Sequence, residues 1–136
     1  MVERIAITAD PDVVPSEVPA VRAEPGRGLE GEYHSDLTLI EAEALEGLTA
    51  DTGIELSHEE SRRNVLTRGV DLNAFVGRRF AVGEVECEGL ELSEPCRKLA
   101  RMTDDGVLRG LVHRGGLRAE VLAAGEIRVG DPVRPL

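Results

Sequence analysis

Apolar residues along this chain recur at alternate positions in short runs broken by glycine, proline and acidic residues, a spacing that predicts strands with a few short helices. Residues 2–8 predict a first strand, stopped by Asp10-Pro11. A proline-containing stretch through Pro15 and Pro19 then leads to a short extended piece near Val18–Arg22. Pro25–Gly31 is a loop with glycines at 26, 28 and 31, suited to positive φ or close approach of the backbone. Leu37–Ile40 predicts a strand. Over Glu41–Thr52, Ala42, Leu45 and Leu48 share one helical face, and Gly53 is placed to cap it. Ser57 and Glu60 have the spacing of a capping box, which predicts a helical turn before Arg62.

Asn64–Thr67 predicts a buried strand, and Asp71–Phe75 a short helical segment ended by Gly77. In Arg78–Glu88 the apolar positions Phe80, Val82, Val85 and Cys87 change parity at Gly83, the sequence form of a β-bulge. This pattern points Cys87 inward and Glu86 and Glu88 outward. Gly89–Ser93 continues the strand until Pro95, Cys96–Met102 forms a helical turn, and Asp104-Asp105-Gly106 turns the chain. Leu117–Ala123 and Ile127–Val133, joined through Ala124-Gly125-Glu126, predict a closing hairpin. The fold class is mainly β with short helices.

With 136 residues, 41% of them hydrophobic, the chain has the size and apolar content of one domain over residues 1–136. There is no Trp, and Tyr33, Phe75 and Phe80 are the aromatic residues, so the core is aliphatic. Residues 1–61 carry 3 basic and 15 acidic side chains, whereas 62–136 carry 13 basic and 11 acidic. An overall charge of −10 argues against nucleic acid as a partner and places any anion site in the second half. No run approaches the ~20 apolar residues of a membrane span, and Met1-Val2-Glu3-Arg4 opens no apolar leader. The expectation is a cytoplasmic protein with reduced cysteines.

Cys96 follows Pro95 and precedes Arg97, Lys98 and Arg101, cations that favour the nucleophilic, metal-binding thiolate. Such a cysteine can ligate a soft metal or carry a persulfide. Cys87, by strand alternation, belongs to the core. Arg62-Arg63-Asn64 offers guanidinium forks and an amide for a phosphate or carboxylate. His113-Arg114-Gly115-Gly116 joins cations to paired glycines whose N–H groups can face an anion. The chain has no zinc-spaced His/Cys cluster, phosphate-loop lysine motif or GxSxG elbow.

Taken in order, Gly28–His34, Leu37–Glu41, Arg62-Arg63-Asn64, Gly77–Gly83, Glu94-Pro95-Cys96, His113–Leu117 and Gly130–Val133 resemble the MOSC family, named for the C-terminal domain of molybdenum-cofactor sulfurase. The resemblance spans residues 18–134. It implies a closed, mainly antiparallel β-barrel with short helices and a working cysteine at Cys96. In one branch of the family the matching cysteine is the protein ligand to molybdenum. Cys96 would then bind molybdenum, with Arg62, Arg63, Asn64, His113, Arg114, Gly115 and Gly116 around the molybdopterin. N-hydroxylated small molecules would be reduced with electrons from a redox partner.

In the sulfurase branch the domain works beside a pyridoxal-phosphate-dependent cysteine desulfurase, which implies a Cys96 persulfide and a sulfur carrier. Pyridoxal phosphate belongs to that partner, so Lys98 is not expected to form a Schiff base. A third expectation is a non-catalytic binding module of the same fold. The family's usual Gly-Asp-Arg-His is Gly31-Glu32-Tyr33-His34 here, which removes one arginine able to contact an anion. The sequence shows no N-terminal domain of the kind that helps enclose the cofactor in larger reductases. A cofactor is therefore expected in an open cleft, or in one completed by a second copy in a homodimer.

Overall fold

The computed structural model describes residues 1–95, 99, 103–104 and 106–136. Cys96, Arg97, Lys98 and Arg101 lie outside the described residues, as does most of the helical turn expected over Cys96–Met102. Strands form where apolar residues alternate: β1 (Val2–Ile7), β2 (Ser16–Val18), β3 (Ala20–Glu24), β4 (Gly28–Leu29), β5 (Leu37–Glu41) and β6 (Val65–Thr67). They are followed by β7 (Arg79–Val82), β8 (Val85–Leu92), β9 (Leu117–Val121), β10 (Gly125–Arg128) and β11 (Val133–Pro135). Helix α1 (Ala42–Thr52) ends at Gly53, whose left-handed φ of 76° brings its N–H to Thr49 O. The predicted capping box is present, with Ser57 Oγ and the Glu60 carboxylate reciprocally bonded at the start of α2 (His58–Ser61). The described residues also include a 3₁₀ turn at Leu72–Phe75 and the short helix α3 at Gly106–Gly110.

One eight-stranded sheet has the order β11-β7-β8-β9-β5-β6-β1-β2, with β5 and β6 parallel and the other neighbours antiparallel. A parallel pair needs a crossover, and α1 and α2 supply it. They pack on the outer face of the sheet, where Leu45, Leu48, Leu56, Leu99, Val107 and Leu111 bury Ile40 and Leu66. The inner core is chiefly aliphatic, with Phe75 and Phe80 stacked at 4.7 Å.

The expected closed barrel is corrected: β2 and β11, at the two ends of the sheet, do not pair with each other, leaving an open half-barrel. The chain leaves the sheet at Pro19, between β2 and β3, and enters a second sheet of order β10-β3-β4. That sheet contributes Val21, Ala23, Leu29 and Ile127 to the inner core. The apolar surface that barrel closure would bury is thus covered by a separate layer.

Two local expectations also change. The parity slip at Gly83 is a hairpin, because β7 and β8 pair with Val82 opposite Val85 across Gly83-Glu84. Gly83 takes φ 58°, the left-handed first position favoured in a two-residue turn. The register irregularity in this region falls instead between Gly89 and Glu91, on the β9 side. In the last third, β9 pairs with β8 and β5 while β10 pairs with β3, so the expected closing hairpin is a crossing between sheets.

Candidate site around Ser93–Pro95

The segment leading to Cys96 is held by backbone contacts and charged side chains. Helix α2 ends with Arg62 in the left-handed region, φ 60°, and the following Arg63 reaches two loops. Arg63 Nε donates to Gly115 O at 2.8 Å and Nη2 to Ser93 O at 2.9 Å. Weaker contacts run to Ser61 O and Glu94 O. Ser93 N–H donates to Gly116 O at 2.7 Å. A Cβ on Gly115 would lie 2.5 Å from Ser93 O, and one on Gly116 would lie 2.1 Å from Leu39 O. Gly116 also has φ 114°, so the glycine pair is required by close packing of backbone.

Glu94 fastens the opposite side of the turn. Its carboxylate accepts the His113 backbone N–H at 2.8 Å and lies 3.2 Å from Nδ1 of the same residue. Asn73 Nδ2 donates to His113 O at 2.8 Å. These contacts hold His113 at φ 61°, a conformation uncommon for a residue other than glycine. Its ring is mostly exposed, and Nε2 has no hydrogen-bond partner among the described residues. The arrangement presents an imidazole on a backbone fixed at both its N–H and its carbonyl.

The other candidates have different surroundings. Arg62 donates to the carbonyls of Pro11 and Val13, which pins the β1–β2 connection. Asn64 is buried: its Oδ1 accepts from Thr38 N and Oγ1, while Nδ2 donates to Ala6 O and Glu32 Oε1. Arg114 donates to Gly110 O and pairs with Asp51 at 2.9 Å. Its Nη1 lies 2.6 Å from where a Cβ on Gly47 would stand. The structure therefore gathers Arg63, His113, Gly115 and Gly116 around Ser93–Pro95, while Arg62, Asn64 and Arg114 brace other contacts. Cys96 lies outside the described residues.

Glu94 and Glu32 escaped the sequence-based site. The Glu32 side chain is only 1% exposed; it accepts from Thr8 N and Asn64 Nδ2, and its other oxygen lies 3.1 Å from His34 Nε2. The signal for Glu32 was its place among polar residues just after a glycine-rich loop; for Glu94 it was direct adjacency to Pro95-Cys96. Among the described residues, no group of three or more His, Cys, Asp or Glu side chains is arranged to hold a metal ion. Burial pushes the free Cys87 thiol up to about 12, which makes it a neutral core residue at ordinary pH. Burial also lowers the His58 pKa, partly offset by the Arg63 backbone.

The model of the MOSC domain family matches residues 26–134. Among solved structures, the YUAD protein from Bacillus subtilis has a TM-score of 0.87 at 15% identity, covering 97% of this chain and 92% of that one. YiiM from Geobacillus stearothermophilus has a TM-score of 0.80 at 16% identity, covering 100% and 74%. YiiM from Escherichia coli has a TM-score of 0.75 at 18% identity, covering 99% and 69%. At these identities the structural likeness shows a common fold. No curated protein matches the sequence significantly. No helix among the described residues is long and apolar enough to cross a membrane.

Proposed function

The chain belongs to the MOSC domain family, and on that premise we propose that it is a sulfur-relay module of molybdenum-cofactor chemistry whose working group is the Cys96 thiol. The observation that carries this reading is the engagement of the residues expected to grip a cofactor phosphate. Arg62 and Arg63 bond backbone carbonyls, Asn64 is committed inside the core, and Arg114 bonds Gly110 and Asp51. What stands beside Ser93–Pro95 is a frame that fixes the chain leading into Cys96. Such a frame suits a thiol presented to another protein.

In the relay, the Cys96 thiolate attacks the outer sulfur of a persulfide on a pyridoxal-phosphate-dependent cysteine desulfurase. A sulfur–sulfur bond forms at Cys96, the bond to the desulfurase cysteine breaks, and the desulfurase leaves as a thiolate. Pyridoxal phosphate stays with that partner. The acidic first half of this chain, 15 acidic against 3 basic side chains over residues 1–61, offers it a docking surface.

A second reading keeps Cys96 as a ligand to molybdenum, with N-hydroxylated compounds reduced by electrons from a redox partner. His113, held by Glu94 and Asn73, presents its exposed ring edge beside the segment leading to Cys96, which favours a polar ligand there. Among the described residues, Arg62, Arg63, Asn64 and Arg114 are engaged in bonds within the fold and do not form the expected phosphate clamp.

Wild type and Cys96→Ala should be incubated with a cysteine desulfurase and cysteine, then weighed intact. The relay predicts an adduct one sulfur heavier on wild type alone, removed by reductant. No adduct under conditions that load a known acceptor overturns it. Near-stoichiometric molybdenum and pterin in wild type from a cofactor-producing host, lost in Cys96→Ala, would establish the second reading. Failure of both leaves a non-catalytic MOSC-fold binding module.

A further inference from the structure

A groove of about 680 Å³ runs between the 3₁₀ turn and β11, lined by Ala74, Phe75, Arg78, Arg79, Pro135 and Leu136. We propose that it binds a small organic anion with a flat apolar body, with Arg78 holding the charge and Phe75, Pro135 and Leu136 contacting the body. This inference goes beyond the sulfur relay and does not rest on it.

The walls are set by backbone contacts. Gly77 N–H donates to Gly89 O, Gly89 N–H to Arg78 O, and Arg78 N–H to Phe75 O. A Cβ on Gly89 would stand 2.1 Å from Phe75 O, so the two backbone segments are in direct contact. Across the groove, Pro135 is in register with Phe80 and Leu136 N–H donates to Arg79 O. A cleft formed before its occupant arrives avoids the cost of ordering loops on binding. Its volume also lies within the roughly 300–1,000 Å³ common for small-molecule sites.

Charge selects the occupant. On a chain of net −10, Arg78 makes no ion pair among the described residues, and Arg79 has a loose pair with Glu86 at 3.5 Å. An unpaired guanidinium beside an apolar wall suits a carboxylate or sulfonate carried on a ring. The groove also adjoins the candidate site in sequence, because Ala74 follows Asn73, whose amide holds His113.

The test uses 2-naphthoate and its uncharged counterpart 2-naphthol, titrated by NMR into the full chain. Wild type should bind naphthoate at least about tenfold more tightly than naphthol. Arg78→Glu should abolish that preference. Arg134→Glu, which reverses another exposed arginine that makes no ion pair among the described residues, should retain it. Ala74→Trp should block both probes; Ala74 is exposed, so the larger ring need not enter the core. Retained far-UV circular dichroism and cooperative melting would show that each variant is folded. Equal naphthoate affinity in wild type and folded Arg78→Glu overturns the proposal. So does unchanged binding in folded Ala74→Trp, or no binding of either probe to wild type at millimolar concentration.

Discussion

Replacing Asn64 by alanine tests whether this residue is a structural joint or a ligand contact. The amide connects Thr38 on β5, Ala6 on β1 and the Glu32 carboxylate, all away from bulk water. Asn64→Ala leaves the Thr38 N–H, the Ala6 carbonyl and one Glu32 contact without this partner. At about 1 kcal/mol or more for each buried group, the expected loss is roughly 3 kcal/mol. An unfolding entropy of about 2.1 cal/mol/K per residue gives about 0.29 kcal/mol/K for 136 residues, so Tm should fall by about 10 °C.

Differential scanning calorimetry at pH 7 provides the measurement, with Asn64→Asp as a second variant. That substitution places another carboxyl group against buried Glu32. Repulsion should raise its folded-state pKa above the unfolded value of about 3.9. The penalty is greatest when the group is charged, so the deficit of Asn64→Asp relative to wild type should shrink as pH falls through that raised pKa towards about 3.9. A melting temperature for Asn64→Ala within about 2 °C of wild type would refute the network argument, since only a surface substitution should cost so little.

The stability contribution of neutral His58 should be present above its unfolded pKa near 6.5 and lost as pH falls through that value towards the lower folded pKa. Subtracting Asp/Glu titration measured in His58→Gln from a denaturant series at pH 5–8 should isolate this loss; parallel pH profiles would contradict it. Gly116→Ala should destabilise by about 2–4 kcal/mol, because its Cβ would meet Leu39 O at 2.1 Å; urea melts would measure this. Cys87 should resist iodoacetamide in the native protein and react in denaturant, as peptide mass mapping would show; rapid native alkylation would contradict its buried placement.

Local pattern revealed α1, its glycine cap, the Ser57–Glu60 box and the inward-facing Cys87, because each depends on neighbours along the chain. It left the partners of distant strands ambiguous. A parity slip at Gly83 fits a bulge or a tight hairpin equally well, and the β7–β8 pairing resolves the difference. Likewise, β9 and β10 have the spacing of a hairpin but pair in separate sheets, β9 with β5 and β8 and β10 with β3. The family resemblance identified a glycine-rich turn and Arg63, but their carbonyl contacts depend on loops distant in sequence. Glu94 showed the same limit: its adjacency to Cys96 was legible, while its grip on His113 was not.

An open eight-stranded sheet has two free borders that can recruit strands from other molecules and seed aggregation. Each border here is poorly suited to such recruitment. β11 is short and includes Pro135, which offers no N–H; β2 spans Ser16–Val18 between Pro15 and Pro19, with Glu17 paired to Arg4. The sheet can therefore remain unclosed without presenting a long template for fibrous assembly.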